Sequence, residues 1–538
     1  MEICTQFSGI ERTDGAWLVH TNCADIKIIF VTDEIVRVRT AFDKEFTEES
    51  YVLMTTAWED RLDPLFEMER TRVEPVIPGV EETDNEITFD TGKIRLVLMK
   101  NPIGFELYDT EGTLLYSDLH GNPVSLDSNH RVTHYSCMEE EDCFYGFGEK
   151  AGPLNKNKMF LRERATDAMG YDAEKTDTLY KHIPFYIRLN RSSKKAVGVF
   201  YHSCFNMGCE KSNYWHRYTY WQADGGDIDM FLLGGNSIAR IVDNYTLLTG
   251  RPALLPKRAL GYQGSSMYYP ELERNSDDAV LGFSDTIKEE GFPIDGFHLS
   301  SGYTSVGNKR CVFTWNTTRF KDPSAYFHAM QDKGAENVPN IKPGILLCHP
   351  WFEEFKSHDV FVKDSKNPNQ YAVGCWWGGP GAFWDFTKPA AREAWKKYVT
   401  ESLVAVGTNS IWNDNCEYDS LLDKDVIVDF DGKGGTIAQL KPIMSTLMCK
   451  LSNDAVKEHD ADMRPYSVCR SGSSGIQRYA QTWCGDNYTS WKSLKYNIPT
   501  ITGMGLSGQP NEGADIGGFA GPAPEEELLV RWVQQGTF

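Results

Sequence analysis

The sequence predicts two architectures in series, a β-sandwich over residues 1–245 and a (β/α)8 TIM-type barrel over 246–538, so the class is multidomain β plus α/β. Three observations carry this. Short β-branched segments separated by turn residues fill the first half. From about residue 250 apolar strands alternate with helical stretches, and polar residues gather at the ends of those later strands.

In the first half, Ile26–Phe30, Ile35–Thr40, Ile94–Leu98, Phe185–Leu189 and Ala196–Phe200 read as strands, with turns at Thr91-Gly92 and Glu111-Gly112. Two sheets packed face to face bury so many alternating strands most simply. In the second half the expected order is a strand at Ala259–Gln263, a helix at Ser276–Glu290 and a strand at Ile294–Leu299. A helix at Pro323–Lys333, a strand at Ile341–Leu347 and a helix at Pro389–Val406 follow. The series ends with a strand at Ser410–Trp412, an irregular stretch, a helix at Thr436–Asp454 and a strand at Tyr466–Arg470. A parallel barrel carries its active site at the C-terminal ends of its strands; a doubly wound open sheet is the competing layout.

Composition limits the partners. The 538 residues include 76 acidic and 55 basic side chains, for a formal charge of −21, with 41 % hydrophobic and 24 % charged residues. That balance supports large cores and argues against disorder. It disfavours nucleic acid, anionic membranes and polyanionic substrates, and suits a neutral ligand. No run is long and apolar enough to span a bilayer, and Met1–Gln6 does not open a secretory signal. Thirteen scattered cysteines, without a CxxC pair, read as reduced thiols in a cytoplasm. Neither a structural zinc site nor any other metal finds support. The oligomeric state stays open, a homo-oligomer included.

Two segments present candidate chemistry. Asp414, in Trp412-Asn413-Asp414-Asn415-Cys416-Glu417, follows a short apolar strand, and Asp486, in Trp483-Cys484-Gly485-Asp486-Asn487, follows a glycine turn. Either one alone reads as a strand-end Asp capping the next turn. Taken as a pair, each beside an Asn and near a Trp, they match the two carboxyl groups that glycoside hydrolysis sets on opposite sides of the scissile bond. Arg470 opens Arg470-Ser471-Gly472 at another strand end, as a cation for sugar hydroxyls or as the partner of a structural carboxylate.

Residues 250–538 resemble the catalytic barrel of glycoside hydrolase family 31 through WNDNCE (412–417), RSGSSG (470–475), WCGDN (483–487), GADIGGF (513–519) and RWVQQGTF (531–538). FYGFGEK (144–150) and ATDAMGYD (165–172) resemble that family's N-terminal sandwich, which is galactose-mutarotase-like. The resemblance implies Asp414 as nucleophile and Asp486 as general acid/base of a retaining double displacement. It implies Arg470, Trp483, Trp412, Trp377, Asp167, Asp515 and Phe519 as substrate contacts, with no cofactor and no metal. Ser300 stands where the family's glucosidases carry an Asp that holds sugar hydroxyls, which loosens the expectation of strict glucose specificity. Asn415-Cys416 replaces the usual Met-Asn after the nucleophile. The barrel is expected to stop before its last strand, as in a fragment.

Other signals are weaker. Gly503–Gly508 fits GxGxxG, but Pro510 and Gly513 follow, so the segment reads as a loop and not as a dinucleotide site. The acidic stretch Asp419–Asp431 lacks the spacing of a calcium loop and reads as a solvated insertion. His298 and His349 read as satisfied polar residues. The aromatic run Tyr214–Trp221 fits either a sugar-stacking surface or sandwich core with one exposed edge.

The leading expectation is an exo-acting retaining α-glycosidase on neutral oligosaccharides, α-glucosidase-like by default. An α-galactosidase or α-N-acetylgalactosaminidase specificity and a transglycosylase are its near alternatives. A carbohydrate-binding protein on the same scaffold is the non-enzyme alternative, and a dehydrogenase is the weakest.

Overall fold

The computed structural model describes residues 1–56, 70–211 and 218–538. The chain divides into two compact units. One comprises Met1–Pro252 with Ser473–Gln477 and Cys484–Phe538; the other comprises Ala253–Gly472 with Arg478–Trp483.

The first unit is built on three antiparallel sheets of eight, six and five strands. Ile26, Ile28 and Phe30 from the eight-stranded sheet, Leu96, Leu98 and Phe105 from the five-stranded sheet, and Val132, Cys209 and Trp221 from the six-stranded sheet share one core. The strand expectations hold here because alternation is unambiguous: Ile35–Ala41 turns Val36 and Val38 into the core and Arg37 and Arg39 to the opposite face. Both arginines are nonetheless buried. Arg37 pairs with Asp229 on the neighbouring strand, Arg39 lies 3.8 Å from the same carboxylate and 3.1 Å from Glu48, and His202 Nδ1 sits 2.8 Å from Asp229. Of the aromatic run, residues 214–217 lie outside the described residues. Tyr218–Trp221 belongs to a strand in which Tyr218 and Tyr220 are half-buried and Trp221 is core, as the second of its two readings has it.

In the second unit the parallel strands are β1 (Gln263–Ser266), β2 (Gly296–Leu299), β3 (Glu336–Ile341), β4 (Ser410–Asn413), β5 (Tyr466–Cys469) and β6 (Gln481–Trp483). They pair side by side in chain order. An order without reversal is that of a barrel wall and not of a doubly wound sheet, which turns back at a switch point. Between the strands lie α1 (Ser276–Glu289), α2 (Pro323–Asp332), α3 (Pro389–Val399) and α4 (Ile443–His459). The start of α2 was legible because Asp322 caps the Ala325 N–H and Pro323 takes the first turn.

Five local expectations are corrected. Lys257–Leu260 is a 3-10 turn and β1 starts at Gln263, later than expected. β3 lies at Glu336–Ile341, whereas Gly344–Leu346, expected to be part of a barrel strand, pairs antiparallel with Gly379–Phe383. The helix expected over 436–454 is interrupted at Pro442, which cannot supply an interior N–H. Gly503–Leu506 forms the last turn of the helix Trp491–Leu506 and not a loop; as it ends a helix instead of opening one, the dinucleotide reading gains nothing. In the acidic stretch Asp423 and Asp425 are exposed, but Asp431 is half-buried and pairs with Arg392, so that part is structural and not solvated. Among the described residues no helix is long and apolar enough to cross a membrane, no cluster of side chains has the makings of a metal site, and all thirteen cysteines are unpaired thiols.

The Asp229 network makes a pH-dependent prediction. Burial pushes the Asp229 carboxyl up, but the charge and hydrogen bond of Arg37, the charge of Arg39 and the His202 contact hold it well below the ordinary carboxylate range. A group depressed in the folded state stabilises fully above its unfolded value, about 3.9, and loses that contribution as pH falls. Urea unfolding is therefore expected to show wild-type stability declining from about pH 5 towards pH 2. In Asp229→Asn this component should be absent, and stability at pH 7 should be lower by about 3–5 kcal/mol, because buried Arg37 loses the carboxylate it pairs with while Arg39 keeps Glu48.

Candidate active site

In the barrel unit three charged side chains line up at the C-terminal ends of β3, β4 and β5. The ladder runs one residue beyond each strand: the Asp414 N–H donates to Ile341 O at 2.9 Å, and the Arg470 N–H donates to Asn413 O at 3.2 Å. Lys342, Asp414 and Arg470, each the first residue past its strand, form a cation–carboxylate–cation row. Asp414 is 8 % exposed and Arg470 3 %.

Both oxygens of the Asp414 carboxylate are held. Oδ2 accepts from Asn340 Nδ2 at 3.0 Å and from Lys342 Nζ; Oδ1 accepts from the Asn415 N–H at 2.8 Å and lies 3.5 Å from Arg470 Nε. Arg470 directs Nε and Nη2 at the two oxygens of Glu417, at 2.8 and 2.9 Å. Lys342 also donates to Asn415 Oδ1, and its ammonium stands 5.3 Å from the centre of the Trp377 ring. Asn415 adopts a left-handed backbone, φ 48°, which Asn tolerates better than most residues and which turns the chain back so that Glu417 reaches Arg470. Burial pushes the Asp414 carboxyl up, yet the charges of Lys342 and Arg470 and the hydrogen bonds from Lys342 and Asn340 outweigh it. The group is held well below the ordinary carboxylate range. Asp414 is ionised at neutral pH, the state a nucleophile needs.

Below this row the interior is aromatic. Trp412 precedes Asp414 by two residues on β4 and therefore points to the same side of the strand. Its ring meets Trp483 edge-on at 5.9 Å and His298 at 5.6 Å. Ser300, just past β2, is buried, and its Oγ has no hydrogen-bond partner; nor do His298 Nε2 and Trp412 Nε1. The reading of His298 as a satisfied polar residue is thus corrected. Burial pushes its pKa down to about 4, so the ring is neutral. His349 does bond, its Nε2 lying 2.9 Å from Val312 O. Trp377 follows the strand Val373–Trp376 and is 42 % exposed.

The remaining candidates belong to the other unit. Asp486 is 7 % exposed, its N–H donates to Tyr180 Oη at 3.2 Å, and its carbonyl accepts from the Gly170 N–H at 2.7 Å. This last bond ties the loop carrying Asp167 to the segment carrying Asp486. Gly485 has φ 65°, and a Cβ there would lie 2.0 Å from the Tyr180 ring, so no other residue fits before Asp486. Asn487 draws in the last two: its Nδ2 donates to Asp515 O at 3.3 Å, and its Oδ1 accepts from the Phe519 N–H at 3.1 Å. Beneath them Lys181 pairs with Glu149 at 2.8 Å and Glu512 at 3.5 Å, all with fully buried side chains.

Sequence reasoning missed Lys342, Asn340, Glu417 and Asn487. Glu417 and Asn487 stood inside quoted motifs; Lys342 and Asn340 carried no signal short of the strand register.

A family model for the glycosyl hydrolases family 31 TIM-barrel domain matches residues 252–538, and one for the family's N-terminal galactose mutarotase-like domain matches residues 25–210. Alpha-glucosidase 2 of Bacillus thermoamyloliquefaciens is 31 % identical over 537 residues, covering 98 % of this chain and 64 % of that protein. Human neutral alpha-glucosidase AB is 31 % identical over 326 residues, covering 59 % of this chain and 33 % of its own length. This chain thus spans less than two thirds of these relatives. Among solved structures, a family 31 dextranase from Flavobacterium johnsoniae, complexed with isomaltotriose, superposes with a TM-score of 0.88 at 21 % identity. The match covers 100 % of this chain and 64 % of that one, and it speaks to the fold. With the barrel model matching more than half of its length, this chain belongs to glycoside hydrolase family 31.

Proposed function

We propose that this chain catalyses hydrolysis of terminal α-linked sugars from neutral oligosaccharides, α-glucosidase-like, by a retaining double displacement. The observation that carries the reading is the row Lys342–Asp414–Arg470, a buried carboxylate kept ionised at the active edge of a barrel. Asp414 attacks the anomeric carbon and forms a glycosyl ester while Asp486 protonates the leaving oxygen. Asp486 then takes a proton from the water that opens the ester, so the α configuration returns. The route requires the two carboxyl groups about 5–5.5 Å apart. Trp377, Trp412, Trp483, Asp167, Ser300, Asp515 and Phe519 are assigned to the sugar. Arg470 is assigned to holding the nucleophile's surroundings, since Glu417 takes two of its donors and Asp414 lies 3.5 Å from its Nε.

Ser300 favours a second reading of the glycone. A small hydroxyl without a protein partner replaces a carboxylate acceptor, which weakens the hold on one ring position and fits a galactose-type or 2-acetamido sugar as well as glucose. Thirteen unpaired thiols accord with a reducing compartment, the cytoplasm.

The test uses aryl α-glycosides of glucose, galactose, xylose and N-acetylgalactosamine. Asp486→Ala should lower kcat by about 10²–10⁴-fold, and Asp414→Ala by at least as much. Proton NMR of the first-formed product should show the α anomer. Wild-type turnover in both variants, or a β product, would overturn the reading. The support of Asp414 is tested separately: Glu417→Ala leaves the Arg470 guanidinium buried without its bidentate partner. Urea unfolding should register a loss of about 3–5 kcal/mol.

A further inference from the structure

Two cations flank Asp414, and they are not equivalent. Arg470 is matched by Glu417 through two hydrogen bonds, so that pair is neutral by itself. Lys342 is buried, and its ion-pair partner is Asp414; its other contacts are an amide oxygen of Asn415 and the face of Trp377. Lys342 and Asp414 are therefore each other's counter-ion, and this has a consequence specific to a covalent route.

The geometry points to Lys342 as a positioning residue that anchors Asp414 Oδ2, leaves Oδ1 to attack, and drives release of the sugar from the covalent intermediate. The inference rests on the retaining reading above. In the first step a lone pair of Asp414 Oδ1 forms the bond to the anomeric carbon, and the glycosidic electron pair leaves with the aglycone oxygen, which takes a proton from the general acid. Asp414 is now a neutral ester, and the Lys342 ammonium has lost its counter-charge in a buried place. In the second step water bonds to the anomeric carbon and gives its proton to the general base. The ester C–O pair returns to Asp414, and the ion pair re-forms. Lys342 keeps its proton throughout. A stranded buried charge raises the energy of the intermediate relative to both flanking states, so the second step is fast. The groups facing Asp414 within this unit are Asn340 and Lys342 from β3, Arg470 from β5, and Asn415 and, through Arg470, Glu417 from its own loop.

The experiment compares wild type, Lys342→Gln and Lys342→Arg on a series of nitrophenyl α-glycosides, with rapid quench and intact-mass readouts. Wild type should show no burst, and its kcat should vary with the leaving ability of the aglycone. Lys342→Gln should release a burst of nitrophenol close to the enzyme concentration, accumulate a glycosyl adduct, and lower kcat and KM together. Its acid limb in kcat/KM should move up by about one pH unit or more as Asp414 loses its cation. Lys342→Arg keeps the charge and should keep the acid limb, without a burst. A folded Lys342→Gln with an unmoved acid limb and no burst would overturn the inference, because a purely structural lysine moves neither. If that variant does not fold, the wild type decides: a burst, or a kcat indifferent to the aglycone, overturns it. Failure of the retaining reading is separately visible, as a β product and the absence of an adduct from every variant.

Discussion

A carboxylate that is buried and still ionised is the constraint on which the barrel half of this protein is organised. Desolvating a carboxylate costs several kcal/mol even after relaxation, and only close, well-aimed counter-charges and hydrogen bonds offset it. For Asp414 they come from strands on both sides, because the parallel register sets Lys342, Asp414 and Arg470 side by side. A slip of one residue in either pairing would turn a cation to the other face of the sheet. The register that builds the wall is thus also what keeps the nucleophile candidate charged, and fold and chemistry share one requirement.

Asp486 is fixed by different means. Its unit ties it through the backbone: Gly170 from the loop bearing Asp167, Tyr180 packed over Gly485, and Asn487 joining Asp515 and Phe519. These are backbone and packing contacts, whereas Asp414 is held by the side chains of Lys342 and Asn340 and lies 3.5 Å from Arg470.

This contrast explains what could be read in advance. Strand alternation in the first unit and the strand–helix rhythm of the second are local patterns, and they were legible. Asp414 and Asp486 stood out as candidates because each stands in a motif with its neighbours. Lys342 was hidden because β3 contains Pro339, which argues against a strand, while the apolar run Gly344–Leu347 drew the strand five to six residues too late. Placed inside a strand, Lys342 reads as one more solvated lysine; placed one step past its end, it faces Asp414. Asn340 reaches Asp414 through strand register, which leaves no trace in composition. Arg37 and Arg39 show the same limit, since alternation sorts them to the outer face without revealing that Asp229 and Glu48 cover them.

The interior beneath the row poses a last energetic question. Ser300 Oγ, His298 Nε2, Trp412 Nε1 and Asn340 Oδ1 are buried without hydrogen-bond partners, all within a few residues of the strand ends. Each such atom costs about 1–3 kcal/mol when nothing satisfies it. A core selected for stability alone would replace them with carbon. His298, held neutral by burial, offers a ring nitrogen and not a charge, and Ser300 and Trp412 add one small hydroxyl and one fixed N–H. Uncharged donors and acceptors of this kind complement hydroxyl groups rather than ions. Under the proposed function a sugar ring repays their cost on binding, and the chain's −21 charge sets no barrier to so neutral a guest. The ionic row above then needs no contact with the sugar beyond the reacting carbon: within this unit recognition is left to neutral groups, and charge is reserved for the step that makes and breaks the bond.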